Sequence, residues 1–132
     1  MIQTIRAHFK AKVREVIDLK EFKEVDSEEM PENYFFADFS EVSIEEFEGY
    51  NELTIPVKLL LNVPARESGV NQFDKIMSNM EMIRKGVTVK KSDNLGAIKE
   101  IGCLSWNQNK DEIQGNQYKF EMDFEVIYKS LD

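Results

Sequence analysis

Among 132 residues the chain has one cysteine, one histidine and one tryptophan, and no apolar run near the ~20 residues that a bilayer-spanning helix needs. Each scarcity removes a class of protein. Cys103 has no second thiol with which to close an internal disulfide. A single domain over residues 1–132 does not need one, because a chain of this length buries roughly two-thirds of its unfolded surface. Arg6, His8, Lys10 and Lys12 interrupt any apolar stretch that could serve as a signal peptide, so a soluble protein in a reducing, intracellular setting is the expectation. His8 has no serine, cysteine or acid at relay spacing and reads as a partly exposed helix residue. Cys103 falls on a strand and reads as a small packed hydrophobe. Gly96 and Gly102 form no phosphate or dinucleotide loop, and Ser92, Asp93, Asn94 and Gly96 miss the spacing of a calcium loop. No catalytic residue, cofactor or metal ligand is assigned.

Bases are scarce over one long stretch. From Glu21 to Glu52 twelve acids stand against Lys23 alone, whereas residues 1–20 carry five bases (Arg6, Lys10, Lys12, Arg14, Lys20) and two acids, within a net charge of −8. Acid runs are ordinarily solvated surface. The dipolar distribution also suits head-to-tail contact between copies, with Arg6, Lys10 and Arg14 on one side and Glu45, Glu46 and Glu48 on the other as interface candidates. Lys85, Lys90, Lys91, Lys99 and Lys110 form a modest basic cluster, and Trp106 could stack on a base. The field of an acidic chain opposes phosphate binding, so no sequence-specific nucleic-acid contact is expected. An acidic inhibitor that occupies a basic site on a nucleic-acid enzyme is the alternative that the acid run supports.

Two stretches alternate nearly without fault: Leu53, Ile55, Val57, Leu59, Leu61, Val63 and Tyr118, Phe120, Met122, Phe124, Val126, Tyr128. Period two places all six residues of each set on one face, so each stretch is a half-buried antiparallel strand. Pro56 cannot donate to a ladder and demands an edge or a bulge. Upstream, Phe35, Ala37 and Phe39 share one parity while Val42 and Ile44 take the other, which implies a bulge near Ser40 and Glu41 or a break between two short strands. Glu48, Gly49, Tyr50 and Asn51 supply the turn. Ile98–Trp106 reads as a strand with Ile101 and Cys103 on one side and Leu104 and Trp106 on the other.

Helical spacing marks Ile2, Ile5, Phe9, Val13, Val16 and Ile17, and again Val70, Phe73, Ile76, Met77, Met80 and Ile83, ending before Gly86. Met82 falls off the second stripe and is an interface candidate. A short strand near Phe22 and Val25 is expected in the acidic connection. The order helix, strands, helix, strands predicts an α+β fold, α-β-β-α-β-β, with two helices packed on one antiparallel sheet that is open to mixed pairing at an edge.

The helix TIRAHFKAKVREVI, the acidic connection, the hairpin YFFADFSEVSIEEFEGYNELTIPVKLLLNVPARE, the helix NQFDKIMSNMEMI and a closing hairpin ending in NQYKFEMDFEVIY together resemble the tail terminator proteins of long-tailed bacteriophages, the lambda type in particular. Related neck and tail-completion proteins look similar. The resemblance implies a non-enzymatic virion protein of a phage or prophage, present in the host cytoplasm during assembly. It would form a ring, of six copies, on the last ring of tail tube protein, stop tube growth and present a surface to the head connector. No membrane contact is implied. Contacts in that family lie in regions rather than at a motif, here the first helix, the loop at Ala65–Gly69 with Arg66 and Glu67, and the polar loops at Lys90–Gly96, with Lys90 and Lys91, and at Asn107–Gly115. Pro56 and the acidic connection stand outside the family pattern and leave the neck-protein reading open.

Overall fold

The computed structural model describes residues 1–21, 34–64, 70–93, 95–108 and 117–131. In chain order the elements are helix α1 (Ile2–Val16), strands β1 (Lys20–Glu21), β2 (Tyr34–Phe39), β3 (Ser43–Phe47) and β4 (Tyr50–Pro64), helix α2 (Val70–Val87), a 3-10 turn at Lys91–Asp93, and strands β5 (Ile98–Gln108) and β6 (Gln117–Ser130). The fold is α+β, with two helices and a six-stranded mixed sheet among the described residues, ordered β1-β2-β4-β6-β5 and with β3 also on β4.

The two alternating stretches become β4 and β6. They pair antiparallel along almost their full length, from Asn51 opposite Ser130 to Pro64 opposite Gln117. Because the pairing keeps their apolar residues on one face, Ile55, Val57, Leu59, Leu61, Phe120, Met122, Phe124 and Val126 form one nearly water-free surface. Both helices cover that surface. α1 contributes Ile5, Phe9 and Val13 at helical spacing, and α2 contributes Ile76, Met80, Ile83 and Val87. Phe9 meets Phe124 edge to face with centroids 5.3 Å apart, an arrangement that the ring quadrupoles favour.

Pro56 explains the parity slip upstream of it. β2 pairs with β4 from Tyr34 opposite Asn62 to Phe39 opposite Val57, and β3 resumes at Ser43 opposite Thr54. Residues 40–42 therefore face only residues 55 and 56, one residue too many, so the alternation of Phe35, Ala37 and Phe39 changes parity at Val42 and Ile44. The Pro56 carbonyl accepts the Ser40 N–H at 3.1 Å. In a strand the N–H and C=O of one residue point to the same edge, so the missing proline donor also lies on this interrupted side. The β4–β6 ladder loses nothing. The expected alternatives of bulge and break meet in one device, two short strands separated by a one-residue slip.

Other expectations need correction. Among the described residues the order has two strands more than α-β-β-α-β-β, since β1 is present and β2 and β3 are separate elements, and the antiparallel expectation holds except at β1, which runs parallel to β2. That short strand lies at Lys20–Glu21; Phe22 and Val25 are outside the described residues. Trp106 does not share a face with Leu104. A register shift between Cys103 and Ser105 leaves Leu104 as the extra residue, 69% exposed, and returns Trp106 to the core side, 6.2 Å from the Phe120 ring. A second shift between Ile98 and Glu100 lets Ile98 and Ile101 both face the core.

Helix α2 does not stop before Gly86. It continues to Val87, whose side chain is fully buried and anchors the last turn. The terminus is closed by three contacts: Thr88 N–H and Oγ1–H both donate to the Arg84 carbonyl, at 3.1 and 2.7 Å, and His8 Nε2–H donates to the Val87 carbonyl at 2.9 Å. His8 thus ties α1 to a helix end whose carbonyls would otherwise lack partners. Arg84 and Lys85 in that turn complement the helix dipole.

Candidate interaction surface

With the helices on one side, the sheet presents its other face and its two ends. At one end β3 and the start of β4 form a ribbon closed by a two-residue turn, Glu48–Gly49, in which Gly49 takes φ +87°, a left-handed conformation that glycine adopts without a Cβ penalty. Glu48 belongs to this turn and does not share a strand face with Glu46. All five residues of β3 are exposed, Ile44 at 64% and Phe47 at 41%. Glu45 stands opposite Glu52 and Glu46 opposite Asn51. Two facing acids repel across a strand pair, and Lys99 Nζ, 3.9 Å from Glu52, relieves that repulsion.

Aromatic and basic side chains brace the ribbon's base. Phe47 and Tyr50 stack with centroids 4.9 Å apart, and the ammonium groups of Lys129 and Lys99 lie 4.6 and 5.3 Å from the Tyr50 ring centre. Next to them opens a recess of about 430 Å³ lined by Glu52, Lys91, Gly96, Ile98, Lys99, Glu100, Ile127 and Lys129. Its charges are largely matched, since Lys91 reaches Glu100 at 3.8 Å, Lys99 reaches Glu52, and Lys129 covers Tyr50. Such exposed pairs contribute little to stability, but they leave no concentrated cationic cradle for a phosphate.

The opposite end of the sheet is β5 and the segment that covers part of its edge. Val89 bridges Ile101 and Leu95 bridges Ile98, so residues 89–93 and Leu95 form an arch beside the start of β5. This arch carries Lys90 and Lys91, both exposed, and Leu95 at 46% exposure. Asp93 accepts the Lys90 backbone N–H at 2.8 Å and holds the 3-10 turn.

The other interface candidates are scattered. Arg6, Lys10 and Arg14 share one side of α1, but each has a partner within the chain: Arg6 lies 5.4 Å from the Phe39 ring centre, Lys10 is 3.9 Å from Glu21, and Arg14 is 3.6 Å from Asp18. Met82 is on the solvent face of α2, 54% exposed. Arg66 and Glu67 are outside the described residues. Trp106, packed against Phe120, is not presented for stacking on a base. Cys103 is half-buried; burial pushes its thiol pKa up, against a smaller opposing effect from the Arg84 charge. Among the described residues no three His, Cys, Asp or Glu side chains are grouped to hold a metal ion. No helix among them is long and apolar enough to cross a membrane. The charged arch was visible in sequence only as a lysine cluster; its place beside β5 depends on the two bridges.

No protein-family model matches this chain, and no curated protein matches it in sequence.

Proposed function

We propose that this chain is a structural, non-enzymatic virion protein of a phage or prophage. Copies assemble into a ring, of six by the resemblance, that caps the tail tube, ends its polymerisation and offers the surface to which the head connector joins. The fold feature that supports the reading is the α+β order of a helix, strands, a second helix and a further pair of strands, with both helices on one face of the sheet.

The observation that carries the reading is the β3–β4 ribbon. Its first strand is an edge of the sheet exposed on both faces, and it presents Ile44 and Phe47 to solvent. An isolated domain gains nothing from such a ribbon, whereas a subunit contact gains apolar anchors surrounded by charge. Capping then requires no chemistry: binding follows from shape and charge, and polymerisation stops because the ring's distal face differs from that of the tube.

Light scattering after size exclusion over a range of concentrations, followed by negative-stain microscopy, tests this reading. Rings with a central hole, which also bind to the ends of tail tubes, are the expected result. A strict monomer that leaves tube ends bare refutes it.

A further inference from the structure

We infer that the acidic β3–β4 ribbon of one copy docks on the basic arch beside β5 of the next copy, an inference that rests on the self-assembly proposed above. The two patches are opposite in charge. Residues 38–48 hold five acids (Asp38, Glu41, Glu45, Glu46, Glu48) and no base, whereas residues 85–98 hold three bases (Lys85, Lys90, Lys91) and one acid, Asp93; Glu52 and Lys99 pair with each other and Arg84 pairs with Glu81 within the chain.

Topology puts them at opposite ends of one row. Ser43–Phe47 pair with Tyr50–Thr54, Asn51–Thr54 pair with Ile127–Ser130, Ile127 and Tyr128 face Glu100 and Ile98, and Val89 and Leu95 bridge Ile101 and Ile98. The row is therefore β3, β4, β6, β5 and then the arch, with β3 and β5 about 14 Å apart at the usual strand spacing. Within one copy the long side chains of Glu52 and Lys99 meet across β6, at 3.9 Å, but β3 and the arch, at the two ends of the row, cannot touch. A second copy can bring its arch to the ribbon, and because the two surfaces differ, the contact is heterologous, the kind that generates a ring when its rotation closes.

Each patch also has an exposed apolar residue, Ile44 on the ribbon and Leu95 on the arch. The contact thus has anchors as well as charge. The α1 stripe is the poorer cationic partner, since the Lys10 and Arg14 side chains are 46% and 53% exposed against 81% for Lys91. Lys91, although 3.8 Å from Glu100, keeps 81% of its side chain exposed and can turn outward.

The test uses the full chain and three variants: Glu45→Lys with Glu46→Lys, Lys90→Glu with Lys91→Glu, and all four changes together. These side chains are exposed, so circular dichroism and urea unfolding are expected to match wild type. Each double reversal is expected to weaken self-association roughly tenfold or more, with the effect reduced in high salt. The fourfold variant, and an equimolar mixture of the two double variants, should recover assembly because opposite charges again face each other. If wild type assembles and both reversals assemble equally well, the docking is wrong while the ring reading stands. If the reversals weaken assembly but neither rescue works, the patches do not face each other and the inference also fails. Wild type that stays monomeric at every concentration removes self-assembly and this contact together.

Discussion

Replacing the proline in the middle of the longest strand should cost little, and moving a proline two residues along the same strand should cost much more. Pro56 sits where β2 has ended and β3 has not begun, with its nitrogen on the interrupted edge. Pro56→Ala restores an N–H at a position where no regular ladder bond exists and frees the unfolded chain somewhat, so the net change should stay within about 1 kcal/mol. Lys58 has the same parity, points its N–H to the same edge and has an exposed side chain, but it stands opposite Asp38 within the regular β2–β4 ladder. Lys58→Pro removes that donor and strands the carbonyl it served, about 1–3 kcal/mol, before any clash of the ring with β2 is added. A loss of at least about 2 kcal/mol is expected. Urea unfolding followed by the fluorescence of Trp106, the single tryptophan, half-buried against Phe120, measures both variants. Equal destabilisation by the two substitutions, or a tolerated Lys58→Pro, would refute the argument that the register slip is what accommodates Pro56.

Two further outcomes can be checked on the isolated protein. His8→Ala leaves the Val87 carbonyl without its side-chain donor and should destabilise by about 1 kcal/mol in the same unfolding assay, while His8→Gln, which retains an N–H donor, should recover part of that loss. The Cys103 thiol, its pKa raised by burial, should react with a disulfide reagent at pH 7–8 more slowly than the thiol of the urea-unfolded chain; equal rates would contradict its partial burial on the core side of β5. The sign is fixed by that direction: the folded state holds the proton more tightly, so any stabilisation it brings is present below the ordinary thiol pKa and declines as pH rises through the raised value.

Much of the architecture could be read directly because it is periodic. Six apolar residues at period two in β4 and six in β6 can be buried only by placing the strands together with one face covered, and the stripes containing Phe9 and Met80 supply the cover. Departures from periodicity were less legible. A parity change at Ser40–Val42 announces a slip without saying which partner absorbs it, and the slip at Leu104 leaves no mark, so alternation alone puts Trp106 on the wrong face. Gly86 read as a helix end because local propensity disfavours it, but burial of Val87 outweighs that preference.

The candidate surface divides along the same line. Local composition established that residues 38–52 are acidic and that a lysine cluster follows α2, since charge is a property of the residues themselves. Which bases remain available is a property of contacts between distant segments. Tertiary structure engaged Arg6, Lys10 and Arg14 with Phe39, Glu21 and Asp18, and it carried Lys90 and Lys91 to the edge of β5 through the bridges at Val89 and Leu95. The fold class, the two buried strand faces and the uneven charge follow from local pattern, because each arises from neighbours or from a repeat of two or 3.6 residues. The parallel β1–β2 pair, the register slips and the placement of opposite charges on opposite sides of the β4–β6 pair come from long-range pairing, which no local pattern encodes.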